Sequence, residues 1–268
     1  MTALEKLLTA QRRTGSLLSI GLEPSPEYLP DGFPADLQGY EDFLRLILDA
    51  TEGLCCAYKF NVAFFESLGW EGWEMLKTVR AHVPSDVLLI ADAKRGDIGS
   101  TAKHYATSLY TVLGADSATV NPLMGRDSAE PFLAHADKLT FFLGLTSNSG
   151  AADFLLKNNL YADITRAVSS WNGAGNCGLV TGATQSEKLA EIRALAGPTI
   201  PFLVPGIGAQ GGDLKATLTA ASVTKNDPRL IIHVTRGVLP AKGETGDAGD
   251  IIRRKTIEWN NRVSEAQG

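Results

Sequence analysis

Of 268 residues only three are cysteine and four are histidine, and neither set is arranged for a familiar task. Cys55 and Cys56 are adjacent and Cys177 stands apart, which gives neither a disulfide framework nor a CxxC metal or redox motif. Small buried thiols in a reducing cytoplasm are therefore expected, with a cytoplasmic location. His82, His104, His135 and His233 are too widely spaced for an HxH or HExxH zinc site, so no metal ligands are assigned. Positive charge is in slight deficit: 25 Lys and Arg face 30 Asp and Glu, for a net charge of −5. With no basic run of five, nucleic acid is not an expected partner. No export signal is expected either, since Glu5 and Lys6 fall where its apolar core would lie, and MTALEKLLTAQRRTG reads as a short amphipathic helix.

What the chain has is a globular balance, 44% apolar and 21% charged, and eight short apolar runs. They are SLLSIGL from Ser16, LCCAYKF from Leu54, VLLIADA from Val87, SATVN from Ser117, LTFFLGL from Leu139, CGLVTGA from Cys177, PFLVPGI from Pro201 and LIIHVT from Leu230. Segments of helical period separate them. From Asp36 to Leu54, residues Leu37, Tyr40, Phe43, Leu44 and Ile47 form one stripe. Thr184 and Glu187 have capping-box spacing, and a last helix runs from Gly249 to Ala266 with Ile252, Trp259 and Val263 on one side. Eight alternations of strand and helix predict an α/β fold, the parallel eight-stranded (β/α)8 TIM barrel, as one domain over 1–268. An open doubly wound sheet is the alternative, but GxGxxG is missing after the first strand. The uncharged stretch from Ala194 to Gly212 could suggest a membrane span. Pro198, Pro201 and Pro205 interrupt it, so it reads as barrel interior and loop, and no membrane is expected.

Barrel enzymes place their chemistry where strands end. The third strand ends in ADAKRGDIGST, which sets Asp92, Lys94 and Asp97 close together after an apolar run. Residues two apart in a strand point the same way, so Asp92 and Lys94 should face the mouth together. Lys59, ending the second strand, can reach Asp92. Asp97 lies beyond the turn at Gly96 and cannot share their direction; it can share a face with Thr101. An ion-pair network that only seals the barrel end would use the same residues, so both readings stand at this point. Across the mouth, PGIGAQGG follows the seventh strand and TRGV the eighth. Loops after the last two strands commonly hold phosphate, because glycine amides approach an anion closely and an arginine grips it. Gly208, Gln210 and Arg236 are the phosphate candidates.

In order along the chain, YKFNVAFFESLG, ADAKRGDIGSTAKHYA, NPLMGRDSAEPF, TSNSG, VPGIGAQGGD and HVTRGV resemble orotidine 5′-phosphate decarboxylases, specifically the longer bacterial subgroup with DAKRGDI. The resemblance implies a cofactor-independent homodimer that converts orotidine monophosphate to uridine monophosphate in pyrimidine biosynthesis. It implies that Lys94 is the general acid, that Asp92 lies against the departing carboxylate, and that Lys59 orders Asp92 and the ribose. Asp97 and Thr101 would be contributed across the dimer interface, Ser147 would meet the pyrimidine, and Gln210 and Arg236 the phosphate. Glu23 stands in GLEP where the family commonly has the aspartate of GLD, one methylene shorter, at the proposed ribose contact.

Two rivals share these features. Relatives such as hexulose-phosphate synthase use magnesium and present a glutamate where this chain has Lys59, a cation that would repel the metal. A binding module that kept the phosphate site and lost the reaction is the non-enzymatic alternative.

Overall fold

The computed structural model describes residues 1–207, 212–225 and 227–267. Eight parallel strands close into a barrel in chain order: β1 Leu18–Leu22, β2 Ala57–Asn61, β3 Leu88–Arg95, β4 Ser117–Val120, β5 Leu139–Leu145, β6 Cys177–Thr181, β7 Phe202–Val204 and β8 Leu230–Val234. Each falls within one of the eight apolar runs except β2, which extends one residue further to Asn61, and β3, which extends through Lys94 and Arg95. Helix α1, Ala3–Thr14, precedes the barrel. Then come α2 Leu37–Thr51, α3 Val62–Glu66, α4 Gly69–His82, α5 Gly99–Ala106, α6 Arg126–Leu133, α7 Leu160–Trp171, α8 Ser186–Ala196, α9 Leu214–Ala221 and α10 Ala248–Gln267.

The stripe on α2 packs inward through Tyr40, Phe43, Leu44 and Ile47, but Leu37, in the first turn, is exposed. The capping box expected at Thr184 does not form. α8 begins two residues later at Ser186, and the Thr184 hydroxyl donates to the Ser147 carbonyl at 3.1 Å. A hydroxyl has one proton, and here a neighbouring loop takes it. A capping box does form at α1, where Thr2 accepts from the Glu5 amide at 3.2 Å and Glu5 accepts from the Thr2 amide at 2.8 Å.

Inside the barrel, alternation along each strand sorts side chains by depth. The lower layers are apolar, with Ala57, Leu88, Ile90, Leu139, Phe141 and Ile231 in one buried cluster. Ala3, Leu7 and Ala10 of α1 belong to that cluster, so α1 stoppers the end of the barrel where the strands begin. Two polar clasps hold it: Lys6 pairs with Asp116 at 2.7 Å, and Gln11 donates to the Leu230 carbonyl at 2.8 Å. Cys55, Cys56 and Cys177 are free thiols buried in the packing, and burial pushes Cys55 up to about 12. Among the described residues no helix is long and apolar enough to cross a membrane.

Candidate active site

Two residues above the apolar layers, the same strands turn to charge. Lys59 of β2 stands one alternation above Ala57, and Asp92 of β3 one above Ile90. The Lys59 ammonium donates to Asp92 Oδ2 at 2.7 Å and lies 3.9 Å from Glu23 Oε1, with its side chain only 5% exposed. Lys94 donates to the other oxygen, Oδ1, at 2.7 Å, and its side chain is half exposed. Glu23 also accepts from Asn61 Nδ2 at 3.3 Å. Lys59, Asp92 and Lys94 thus form a row of alternating sign, which Asp97 does not join.

Lys94 is brought over the mouth by an irregularity in the sheet. β3 and β4 pair Ala91 with Ala118 and next Arg95 with Val120, so Asp92, Ala93 and Lys94 stand against Thr119 alone. Lys94 absorbs the excess with a left-handed backbone, φ 47°. For a non-glycine residue that conformation costs on the order of 1–3 kcal/mol and persists only where the surroundings hold it. Thr119 supplies the hold. Its hydroxyl accepts from the Lys94 amide at 2.9 Å and donates to Asp92 Oδ1 at 2.8 Å.

The electrostatics follow from this packing. Burial pushes the Asp92 carboxyl up, but the ammonium groups of Lys59 and Lys94 outweigh burial and hold it well below the usual carboxylate range. His233, on β8, is held well below its ordinary value by burial first and by Lys59 next. The floor therefore carries an ionised carboxylate between two cations, beside a neutral imidazole.

Two adjoining hollows, of about 270 Å³ and about 360 Å³, open above this floor and share Lys59, Asp92, Pro205 and His233. The first holds Glu23, Tyr28, Gly206 and Arg236. The second holds Lys94 and Ser147 above an apolar bed of Leu143, Val180 and Leu203. A ligand filling both would be polar at one end and flat and apolar at the other. Asp97 and Thr101 line neither hollow; Asp97 accepts from the Ile98 amide at 2.8 Å, and Thr101 is exposed in the first turn of α5. Gly208 and Gln210 lie outside the described residues.

Thr119 and His233 were not among the residues singled out from the sequence. Each lies inside an apolar run, SATVN or LIIHVT, at a position whose period-two alternation points into the barrel, but nothing in the run itself marks it as part of a site.

Comparison with known proteins gives a consistent result. The model of the orotidine 5′-phosphate decarboxylase / HUMPS family matches residues 17–251. An orotidine 5′-phosphate decarboxylase of Dehalococcoides mccartyi strain CBDB1 is 46% identical over 250 residues, 90% of each chain. Among solved structures, the OMP decarboxylase of Leishmania donovani superposes with a TM-score of 0.85 at 35% identity, covering 100% of this chain and 99% of that one. The UMP synthase of the same organism gives 0.87 at 37% identity; this chain is covered entirely but spans only 57% of that protein.

Proposed function

The chain belongs to the orotidine 5′-phosphate decarboxylase / HUMPS family, and we propose that it decarboxylates orotidine 5′-monophosphate to uridine 5′-monophosphate, a step of pyrimidine biosynthesis. The observation that carries this reading is the Lys59, Asp92, Lys94 chain, with contacts of 2.7 Å on both sides of the carboxylate. The substrate's phosphate goes to Arg236, with Gln210 and the Gly208 amide. Its ribose lies by Glu23 and Lys59, and its ring rests on the apolar bed facing Ser147.

In that pose the substrate carboxylate lies beside ionised Asp92. Two like charges about 4 Å apart repel by roughly 4 kcal/mol at an effective dielectric of 20. Breaking the bond to carbon dioxide relieves that repulsion and leaves the electron pair on the ring carbon. Enzymes lower barriers by roughly 8–23 kcal/mol, so repulsion is the smaller part. Lys94 carries more of it: its ammonium stabilises the developing carbanion and passes a proton to it, and binding of the phosphate contributes remotely. Its half-exposed side chain can then recover a proton from water. The reaction balances without an oxidant, a reductant or a metal.

The homodimer reading rests on the rim. Ile98, Leu123, Met124 and Phe154 are exposed apolar side chains on loops following β3, β4 and β5, the side that carries Asp97 and Thr101. A second copy covering that rim would bring its own Asp97 and Thr101 towards this chain's Lys94.

The family description also admits a magnesium-dependent synthase. Here Lys59 sits between Glu23 and Asp92, where a divalent cation would meet an ammonium. One assay separates the readings: the fall in ultraviolet absorbance as orotidine monophosphate is consumed, with and without a strong chelator. Turnover undiminished by the chelator is expected. Loss restored by magnesium favours the synthase, and nucleotide binding without turnover favours the binding module.

A further inference from the structure

We infer that Thr119 is the positioning residue of this site: one hydroxyl that sets both the proton donor and the carboxylate it works against. The inference rests on the proposed roles of Lys94 and Asp92 and adds what holds them in place.

The argument begins with the backbone. Where three residues of β3 face one of β4, the regular ladder has no carbonyl for every amide. The Lys94 amide is the one diverted, and it finds the Thr119 hydroxyl at 2.9 Å. A hydroxyl has a single proton, and accepting from Lys94 leaves that proton free to point at Asp92 Oδ1, 2.8 Å away. Both bonds are made by one atom, so the direction of each is fixed by the other. Thr119 is itself 1% exposed, in a strand where its branched side chain has little rotational freedom. Asp92 Oδ1 thus receives two donors, Thr119 and the Lys94 ammonium, and the amide and ammonium of Lys94 are tied to one carboxylate oxygen by a loop of three hydrogen bonds.

The left-handed φ of Lys94 gives this loop its purpose. Without that hold, Lys94 is expected to leave the strained left-handed region and carry its ammonium away from Asp92 Oδ1. A residue acting in this way should affect the orientation of the reacting groups and leave the grip on the nucleotide alone. Serine preserves both bonds, whereas valine has the shape of threonine and makes neither.

The test is Thr119→Val against Thr119→Ser, with three readouts. With orotidine monophosphate, Val should lower kcat by on the order of 100-fold, the penalty typical of misplacement by about 1 Å. Ser should recover most of it. Affinity for uridine monophosphate, which has no carboxylate to press on Asp92, should be unchanged in both. A ligand-free crystal structure of the Val variant should show Lys94 out of the left-handed region and its ammonium away from Asp92. Wild-type kcat in Thr119→Val, equal losses for Val and Ser, or an unmoved Lys94 in that structure overturns the inference. If the wild-type protein itself fails to turn over the nucleotide, the proposed reaction falls, and the crystal structure still decides whether Thr119 holds Lys94.

Discussion

His233 has two ring nitrogens and two neighbours that dictate which of them carries a proton. Nδ1 lies 3.2 Å from the Ser19 carbonyl, which can only accept, so Nδ1 donates and Nε2 is left to accept from Thr235 Oγ1 at 3.2 Å. A second proton would be added among Lys59 and Lys94, in a buried place, and the folded-state value is depressed accordingly. An unfolded histidine titrates near a pKa of about 6.5. Below that the unfolded chain binds a proton that the folded chain refuses, so stability falls as pH drops from about 6.5 towards the depressed value, by up to ~1.4 kcal/mol per pH unit. Asp92 also loses stability on acidification, but only below its unfolded value of about 3.9, so of the two only His233 acts between about 6.5 and about 3.9. Urea unfolding at pH 7.5 and pH 5.5 should show a smaller drop in His233→Gln than in wild type; equal drops would mean that His233 is not the group responsible. At this scale the sequence was most legible where charge was densest. Lys59, Asp92 and Lys94 stood out as charges at the ends of apolar runs. Thr119 did not, because a threonine in SATVN is what any strand would contain, and its use depends on a register that only backbone pairing fixes.

Between elements, Ser147 shows how one loop is seated on the next. The loop after β6 supports it twice: Gly182 donates to the Leu145 carbonyl at 2.6 Å, and Thr184 donates to the Ser147 carbonyl at 3.1 Å. Gly182 has no room for a side chain, because a Cβ there would sit 2.6 Å from the backbone nitrogen and Cα of Ser147. Gly182→Ala must therefore move the end of β5, at an overpacking cost of typically 1–3 kcal/mol. The expected outcome is weaker binding of uridine monophosphate and a lower Tm, while Thr184→Ala, which removes a bond but adds no volume, does much less. Nucleotide affinity unchanged in Gly182→Ala would show that Ser147 stands off the ligand's path. The strands themselves were legible because each is a short apolar run between helical segments. The misreading at Thr184 has the same source as the omission of Thr119: spacing shows which bonds a hydroxyl can make within its own segment, and a competing acceptor from another strand is invisible to it.

At the scale of the whole molecule, the β3–α5 loop divides the charged stretch, with Asp92 and Lys94 inside the barrel and Asp97 on its rim. If Asp97 serves the site of a second copy, inactive Lys94→Ala and Asp97→Ala chains should complement on mixing. Random exchange makes about half the dimers mixed, each with one intact site of two, so roughly a quarter of wild-type activity should return by two-fold symmetry. Demonstrated exchange with no recovery would place Asp97 in its own chain's service. The other end of the barrel bears on the same traffic. Leu7 and its neighbours on α1 close the strand-start end, so among the described residues the interior opens only at the mouth where the strands end. In the proposed reaction carbon dioxide is released beside Asp92, on the floor, and leaves through the same mouth by which the nucleotide enters. A second copy seated on the rim after β3, β4 and β5 would therefore stand beside the way in and out as well as beside Lys94.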